Sequence, residues 1–202
     1  MAKLRPFRQL HENDVINLFA YDGVVDLTNY VEKGQMVRLV ANKGLDLADD
    51  LSTTSINNNY NHTISDRWSV DARVTLTASG DSIAPLGMLL YDVKEYDENG
   101  EKLIWHPLKA HEMEVALSGQ AVPVLTRGLV LINGVVDADS LAAAGKDVYA
   151  TDTGGILVGP SAWGSNVPTD MHRIGELLGG VAGQGLNDAP ANAGDVLLKL
   201  EL

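Results

Sequence analysis

The chain has 202 residues, 45% of them hydrophobic, and a formal net charge of −12 at pH 7. That length suits one core-bearing domain with or without an arm, and that charge argues against a nucleic-acid surface, which needs clustered Lys and Arg. Cysteine is absent, which excludes a disulfide framework, a thiolate metal site and a thiol nucleophile.

The chain opens on "MAKLRPFRQLHENDVINLF". No apolar run here is long enough for a signal peptide, and no later segment approaches a membrane span, so a cytoplasm-like compartment is expected. Lys3, Arg5 and Arg8 surround Pro6 and Phe7 on an otherwise acidic chain. The bland reading is a solvated tail. The functional one is an arm, residues 1–20, in which Lys3, Arg5 and Arg8 meet acidic groups and Phe7 inserts among apolar ones. For "NDVINLF" the periodicity does not decide between a helical turn and a strand.

Beyond residue 20 the dominant period is two. "QMVRLVA" is a first strand candidate, followed by a polar, Asn-rich loop over 46–63. In "RWSVDARVTLTA", Trp68, Val70, Ala72, Val74 and Leu76 alternate with polar residues, as in a half-buried strand. "LGMLLYDV", "MEVALSG", "VPVL" and "LVLING" are further strands. Asn99-Gly100 predicts a two-residue hairpin turn. Helix is scarce: Asp137 to Ala144, with Asp caps and Gly145 as a stop, is the best candidate. "GPSAWGSNVPTD" is a loop, and "DVLLKLEL" alternates again at the C-terminus. The expected fold is all-β, a small barrel or sandwich with long loops, one short helix and the arm. The β-rich domain would span 21–202, with 42–112 an inserted or loop-rich region.

An internal echo runs through the chain. "KGQMVRLV", "PLGMLLYDV" and "HEMEVALSG" are matched in order by "AGKDVYAT", "RIGELLGGV" and "AGDVLLKLEL". Either a unit is duplicated, or one barrel grammar recurs.

Asp152-Thr153-Gly154 spells the triplet of aspartic proteases. Two such carboxylates must share one proton, and this chain has one triplet, so only a homodimer would complete the pair. The turn chemistry favours a hairpin instead, with Asp and Thr bonding back to the backbone and glycines supplying positive φ. His106 and His111 flank "PLKA"; Pro107 disfavours a helix there, so they read as surface histidines in a loop. His11, His62 and His172 are isolated, and no His-Glu-x-x-His motif or Gly-x-Ser-x-Gly elbow occurs. "GGVAGQG", Gly145-Lys146 and "DLADD" lack phosphate-loop or calcium-loop spacing. Asn61-His62-Thr63 matches a glycosylation sequon by coincidence. No catalytic residue, metal or cofactor is expected.

The C-terminal succession "VPVLTRGLVLINGV", "AAAGKDVYATDTGGILVGP", "HRIGELLGGVA" and "NAGDVLLKLEL" resembles the capsid-decoration (cement) proteins of tailed bacteriophages, broadly of the lambda head-decoration type. The start, "LRPFRQLHENDVINLFA", looks like structural proteins encoded near phage major capsid genes. The resemblance covers roughly 120–202 and, loosely, the N-terminus; 42–66 and 94–112 have no counterpart in it. It implies a small, β-tulip-like barrel without a cofactor, not an enzyme, made in the host cytoplasm and assembled on the outer head surface of the virion. The implied partner is the phage major capsid protein, with no nucleic acid and no membrane. A homo-oligomer is expected, a trimer before a dimer, with Lys3, Arg5, Phe7 and Arg8 as capsid-binding residues. Two rival readings remain: a dimeric Asp-Thr-Gly protease of head maturation, and a spike or tail protein that binds a host receptor.

Overall fold

Two β-systems are folded from one repeated strand plan, as a computed structural model shows. It describes residues 3–5, 14–23, 25, 27–41, 72–78, 83–133, 135–137, 144–159, 171–180 and 196–202. The strands are β1 (Lys3–Arg5), β2 (Val15–Tyr21), β3 (Met36–Leu39), β4 (Arg73–Leu76), β5 (Pro85–Leu89), β6 (Asp92–Val93), β7 (Val115–Ala116), β8 (Ala121–Leu125), β9 (Arg127–Asn133), β10 (Val136–Asp137), β11 (Asp147–Ala150), β12 (Ile156–Val158), β13 (Arg173–Gly180) and β14 (Val196–Glu201). The fold is all-β, with one short helix, α1 (Pro107–Glu112), among the described residues.

The first system is a closed barrel in the order β2-β4-β3-β5-β8. Its closure is the parallel pairing of β2 with β4, at Ala20↔Arg73 and Tyr21↔Val74. The second is a seven-stranded sheet, β1-β9-β14-β13-β11-β12-β10. Its far strand, β10, pairs in parallel with β12 and begins three positions after β9 ends. A chain cannot span more than ~10 Å in that distance, so the sheet curls until its two ends nearly meet.

The two systems repeat one plan. Each has the neighbours β3-β5-β8-β2 or β11-β13-β14-β9 in antiparallel order, flanked by β4 or β12. The registers agree in detail. Val37 pairs with Gly87, and a bulge follows between Val37 and Arg38. Val148 pairs with Gly175, and a bulge follows between Val148 and Tyr149. A Cβ on Gly87 would run into the Leu125 carbonyl oxygen, and one on Gly175 into that of Lys199. Both glycines exist because the next strand's backbone occupies the side-chain position. The first two members of the sequence echo are thus structural counterparts. The third is not: "HEMEVALSG" contains β7, which pairs with β6, while the counterpart of β14 is β8.

The barrel strands around this junction are buried on both faces. Val37, Leu89 and Val124 point into the barrel core. Their neighbours Met36, Met88 and Leu125 point into a second core shared with Ile132, Ile156, Ile174 and Leu200 of the sheet. Paired apolar residues replace alternation because successive side chains face opposite sides and both sides are dry. At the C-terminus one face is wet, and β14 alternates as its sequence predicts: Val196, Leu198 and Leu200 are buried, Leu197, Lys199 and Glu201 half-buried.

Several local expectations change. "NDVINLF" resolves as the start of β2. The expected arm boundary at residue 20 therefore falls inside a barrel strand, and Lys3–Arg5 pairs with β9 at Lys3↔Asn133, Leu4↔Ile132 and Arg5↔Leu131. Of the helix expected over 137–144, Asp137 lies in a strand and 138–143 lie outside the described residues. The short helix among the described residues begins at Pro107, at the first helical position, where the missing N–H would have no helical partner anyway. The loops expected at 46–63 and 160–170, the sequon at Asn61, and His11 and His62 also lie outside the described residues.

Candidate functional site

The Asp152 triplet is the turn of the β11–β12 hairpin, with Ala150↔Ile156 the last pair before it. Thr151 N–H donates to the Gly155 carbonyl at 2.9 Å, and Gly155 N–H to that of Asp152 at 3.0 Å. Thr153 and Gly154 take positive φ, 57° and 70°. Gly155 stays at −71°, so a threonine fills the left-handed position expected of the second glycine. Asp152 itself is exposed. The turn docks on the barrel: Thr77 Oγ1 donates to the Thr151 carbonyl at 2.8 Å, and Gln35 Nε2 to that of Thr153 at 2.9 Å. A Cβ on Gly154 would sit 2.9 Å from the Met36 carbonyl oxygen.

Of the basic cluster, Lys3 and Arg5 lie at the two ends of β1, while Phe7 and Arg8 lie outside the described residues. Among the described residues β1 is the terminal strand of the sheet order and pairs with β9 alone.

The most developed surface feature is the excursion from β6 to β7. These strands pair in parallel, at Asp92↔Val115 and Val93↔Ala116. A parallel pair needs a crossover, and residues 94–114 supply it. The crossover starts with a hairpin bridged at Tyr96↔Lys102. Asp97 N–H donates to the Glu101 carbonyl at 3.0 Å, so its loop has three residues, 98–100, rather than two. The Asp97 carboxylate accepts from the N–H groups of Asn99 at 2.9 Å and Glu101 at 2.7 Å, which fixes an Asx-type turn. Gly100 alone takes positive φ, at 79°, and Asn99 does not. Lys109 of α1 reaches back and forms an ion pair with Asp97. The Lys109 hydrogen bond, then the backbone donors, hold the Asp97 carboxyl below the usual carboxylate range. The same contact raises Lys109 above the usual lysine value.

A small core of Leu103, Ala110 and Val115 closes the excursion from within. Its outer surface is apolar: Ile104 is 61% exposed, Trp105 75% and Leu108 71%. Beside α1 lies an open groove of about 490 Å³, lined by Pro107, Ala110 and His111 with Tyr91, Asn17 and Pro123 across from them. His106 stands at the N-cap position without a side-chain cap bond, and His111 lies in the helix's last turn rather than in the expected loop; both are exposed. His106 Nε2 stands 3.9 Å from a Glu101 oxygen. Among the described residues no group of three or more His, Asp or Glu converges as a metal site.

Sequence reading passed over the Ile104, Trp105 and Leu108 cluster. The available signal was "LIWHPL", a run of large apolar residues without strand alternation between two charged stretches. No family model matches the chain, and no curated protein matches its sequence.

Proposed function

We propose that the chain is a bacteriophage virion structural protein that binds the outer capsid surface and stabilises the expanded head by bridging capsomers. The reading is carried by one observation. Of the four segments that resemble decoration proteins, β9, the β11–β12 hairpin, β13 and β14 are strands of one seven-stranded sheet, while β8, at the start of the first segment, belongs to the barrel. Most of the resemblance therefore falls on one sheet rather than on scattered strings.

Composition supports the same reading. Strong negative charge helps keep the protein soluble before assembly. The mechanism is linkage: contacts available only on the expanded shell favour that shell by mass action. Many equivalent sites multiply a modest interface through avidity, most naturally with the protein acting as a trimer at three-fold positions. The basic N-terminal residues Lys3, Arg5 and Arg8, with Phe7 among them, are one proposed contact.

Sedimentation with heads assembled without this protein tests the proposal. The expected result is saturable binding to expanded heads, at a fixed ratio to the capsid subunit, with little binding to unexpanded shells. Absence of binding to either would remove the reading.

A further inference from the structure

The crossover carries three large apolar side chains that no part of the described chain covers. Ile104, Trp105 and Leu108 sit within five positions of one another, each more than half exposed. Scattered exposed apolar residues are ordinary, but a clustered trio that includes Trp has the composition of an interface hot spot. The trio is also held rigidly. Leu103 is fully buried beneath it, Ala110 is 6% exposed, and the Asp97–Lys109 pair ties the hairpin to α1. A braced apolar surface loses little freedom on binding, so more of its contact energy appears as affinity.

The surroundings select the partner. Glu112 lies four positions after Leu108 in α1, on the same helix face. Glu98 and Glu101 are exposed on the adjoining hairpin together with one lysine, Lys102, which leaves the rim net acidic. A second copy meeting this surface face to face would bring carboxylate against carboxylate, on chains that each carry −12. Area also speaks against a self-sufficient dimer. Trp105 offers at most ~250 Å², and the trio falls well short of the ~800 Å² per partner of a stable interface. A small, acidic-rimmed apolar foot suits a contact repeated many times on a lattice and joined there by other contacts.

We propose that Ile104, Trp105 and Leu108 are a docking foot for a protein surface with an apolar cleft rimmed by Arg or Lys. On the reading above, on which this inference rests, that surface belongs to the major capsid protein of the expanded head. The foot is distinct in sequence from the basic residues Lys3, Arg5 and Arg8 and opposite to them in charge. In sequence it is also peculiar to one repeat: residues 181–195, between β13 and β14, carry no run of large apolar residues like "LIWHPL".

The test compares full-length wild type with Trp105→Ala, Leu108→Ser, Glu112→Lys and a distant control, Leu178→Ala. Each is first checked for unchanged circular dichroism and melting, then titrated onto expanded heads assembled without this protein. Trp105→Ala is expected to bind about 30-fold more weakly or worse, and Leu108→Ser to follow it. Leu178→Ala should bind as wild type. Glu112→Lys should slow association at low salt, with the difference fading at high salt. Wild-type affinity in both Trp105→Ala and Leu108→Ser overturns the foot and leaves the decoration reading standing. Failure of wild type itself to bind heads overturns both. A change in the oligomeric state of free Trp105→Ala would make the trio a contact between copies, which also overturns the proposal.

Discussion

Gln35 Nε2 donates to the carbonyl of Thr153 at 2.9 Å, joining a barrel turn to a hairpin turn 118 positions away. Gln35 is 3% exposed, and its Oε1 accepts from Glu32 N–H at 2.9 Å, so one buried amide serves both systems. Gln35→Ala removes both bonds without supplying replacements. A loss of about 1–3 kcal/mol is expected in denaturant unfolding. A change below 0.5 kcal/mol would mean that water replaces both bonds freely.

The triplet itself separates two readings through a pair of substitutions. Asp152 is exposed at the turn, so Asp152→Ala should cost at most about 1 kcal/mol. Gly154 has φ of 70° and lies against the Met36 backbone, so Gly154→Ala should cost clearly more, about 1–2 kcal/mol for the left-handed backbone before any clash. Urea melts of the two variants give the comparison. If Asp152→Ala instead abolished a measurable proteolytic activity with stability intact, the triplet would be catalytic.

The repeated glycines give a sharper stability test. Gly87→Ala and Gly175→Ala each drive a methyl group into the carbonyl of the neighbouring strand. Each should destabilise by roughly 3 kcal/mol or more, beyond the usual overpacking range, because backbone rather than a flexible side chain must move. Gly179 has open space where its Cβ would be, and Gly179→Ala should stay within about 0.5 kcal/mol. Similar large losses at Gly87 and Gly175 would support one strand plan used twice. A tolerated alanine at either would weaken it.

These glycines also show what was legible beforehand. Periodicity exposed the strands whose outer face is wet, β14 above all. The "Gly, apolar run" echo caught the counterparts β3/β11 and β5/β13. It misplaced the third member because "MEVALSG" has the composition of a barrel strand, while its partner is decided by the crossover. The short helix escaped because Pro107 reads as a breaker until its position at the first turn is known. The Trp105 cluster escaped because exposure of an apolar run is a property of the assembled excursion, set by what Leu103 and Ala110 bury, and not of the run itself.

The Asp97–Lys109 pair has a defined pH window. Asp97 is depressed, so its contribution is complete above the ordinary carboxylate range and is lost as pH falls through its lowered folded value. Lys109 is raised, so its contribution is complete below the ordinary lysine value and is lost as pH rises through its elevated one. The excursion should therefore stay braced across neutral pH and loosen first in acid. Amide chemical shifts of Asn99 and Glu101, followed by NMR, report the carboxylate directly through their bonds to it. They should move only below the usual Asp titration range. Movement centred at the ordinary Asp value would show that the pair does not hold in solution.

The N-terminal strand allows a test of the basic residues apart from the foot. Deleting residues 2–10 removes the pairing of Lys3–Arg5 with β9. If those residues also contact the shell, the truncated protein should still fold and bind heads more weakly, with reduced salt sensitivity. Wild-type affinity after truncation would confine the interface to the remainder of the chain.

A cryo-EM map of the virion tests the central proposal most directly. The account predicts density that accepts the barrel and the curled sheet on the outer head surface, repeated with the capsid symmetry and touching more than one capsomer. Density for this chain confined to a tail or spike, or none on the head, would contradict it.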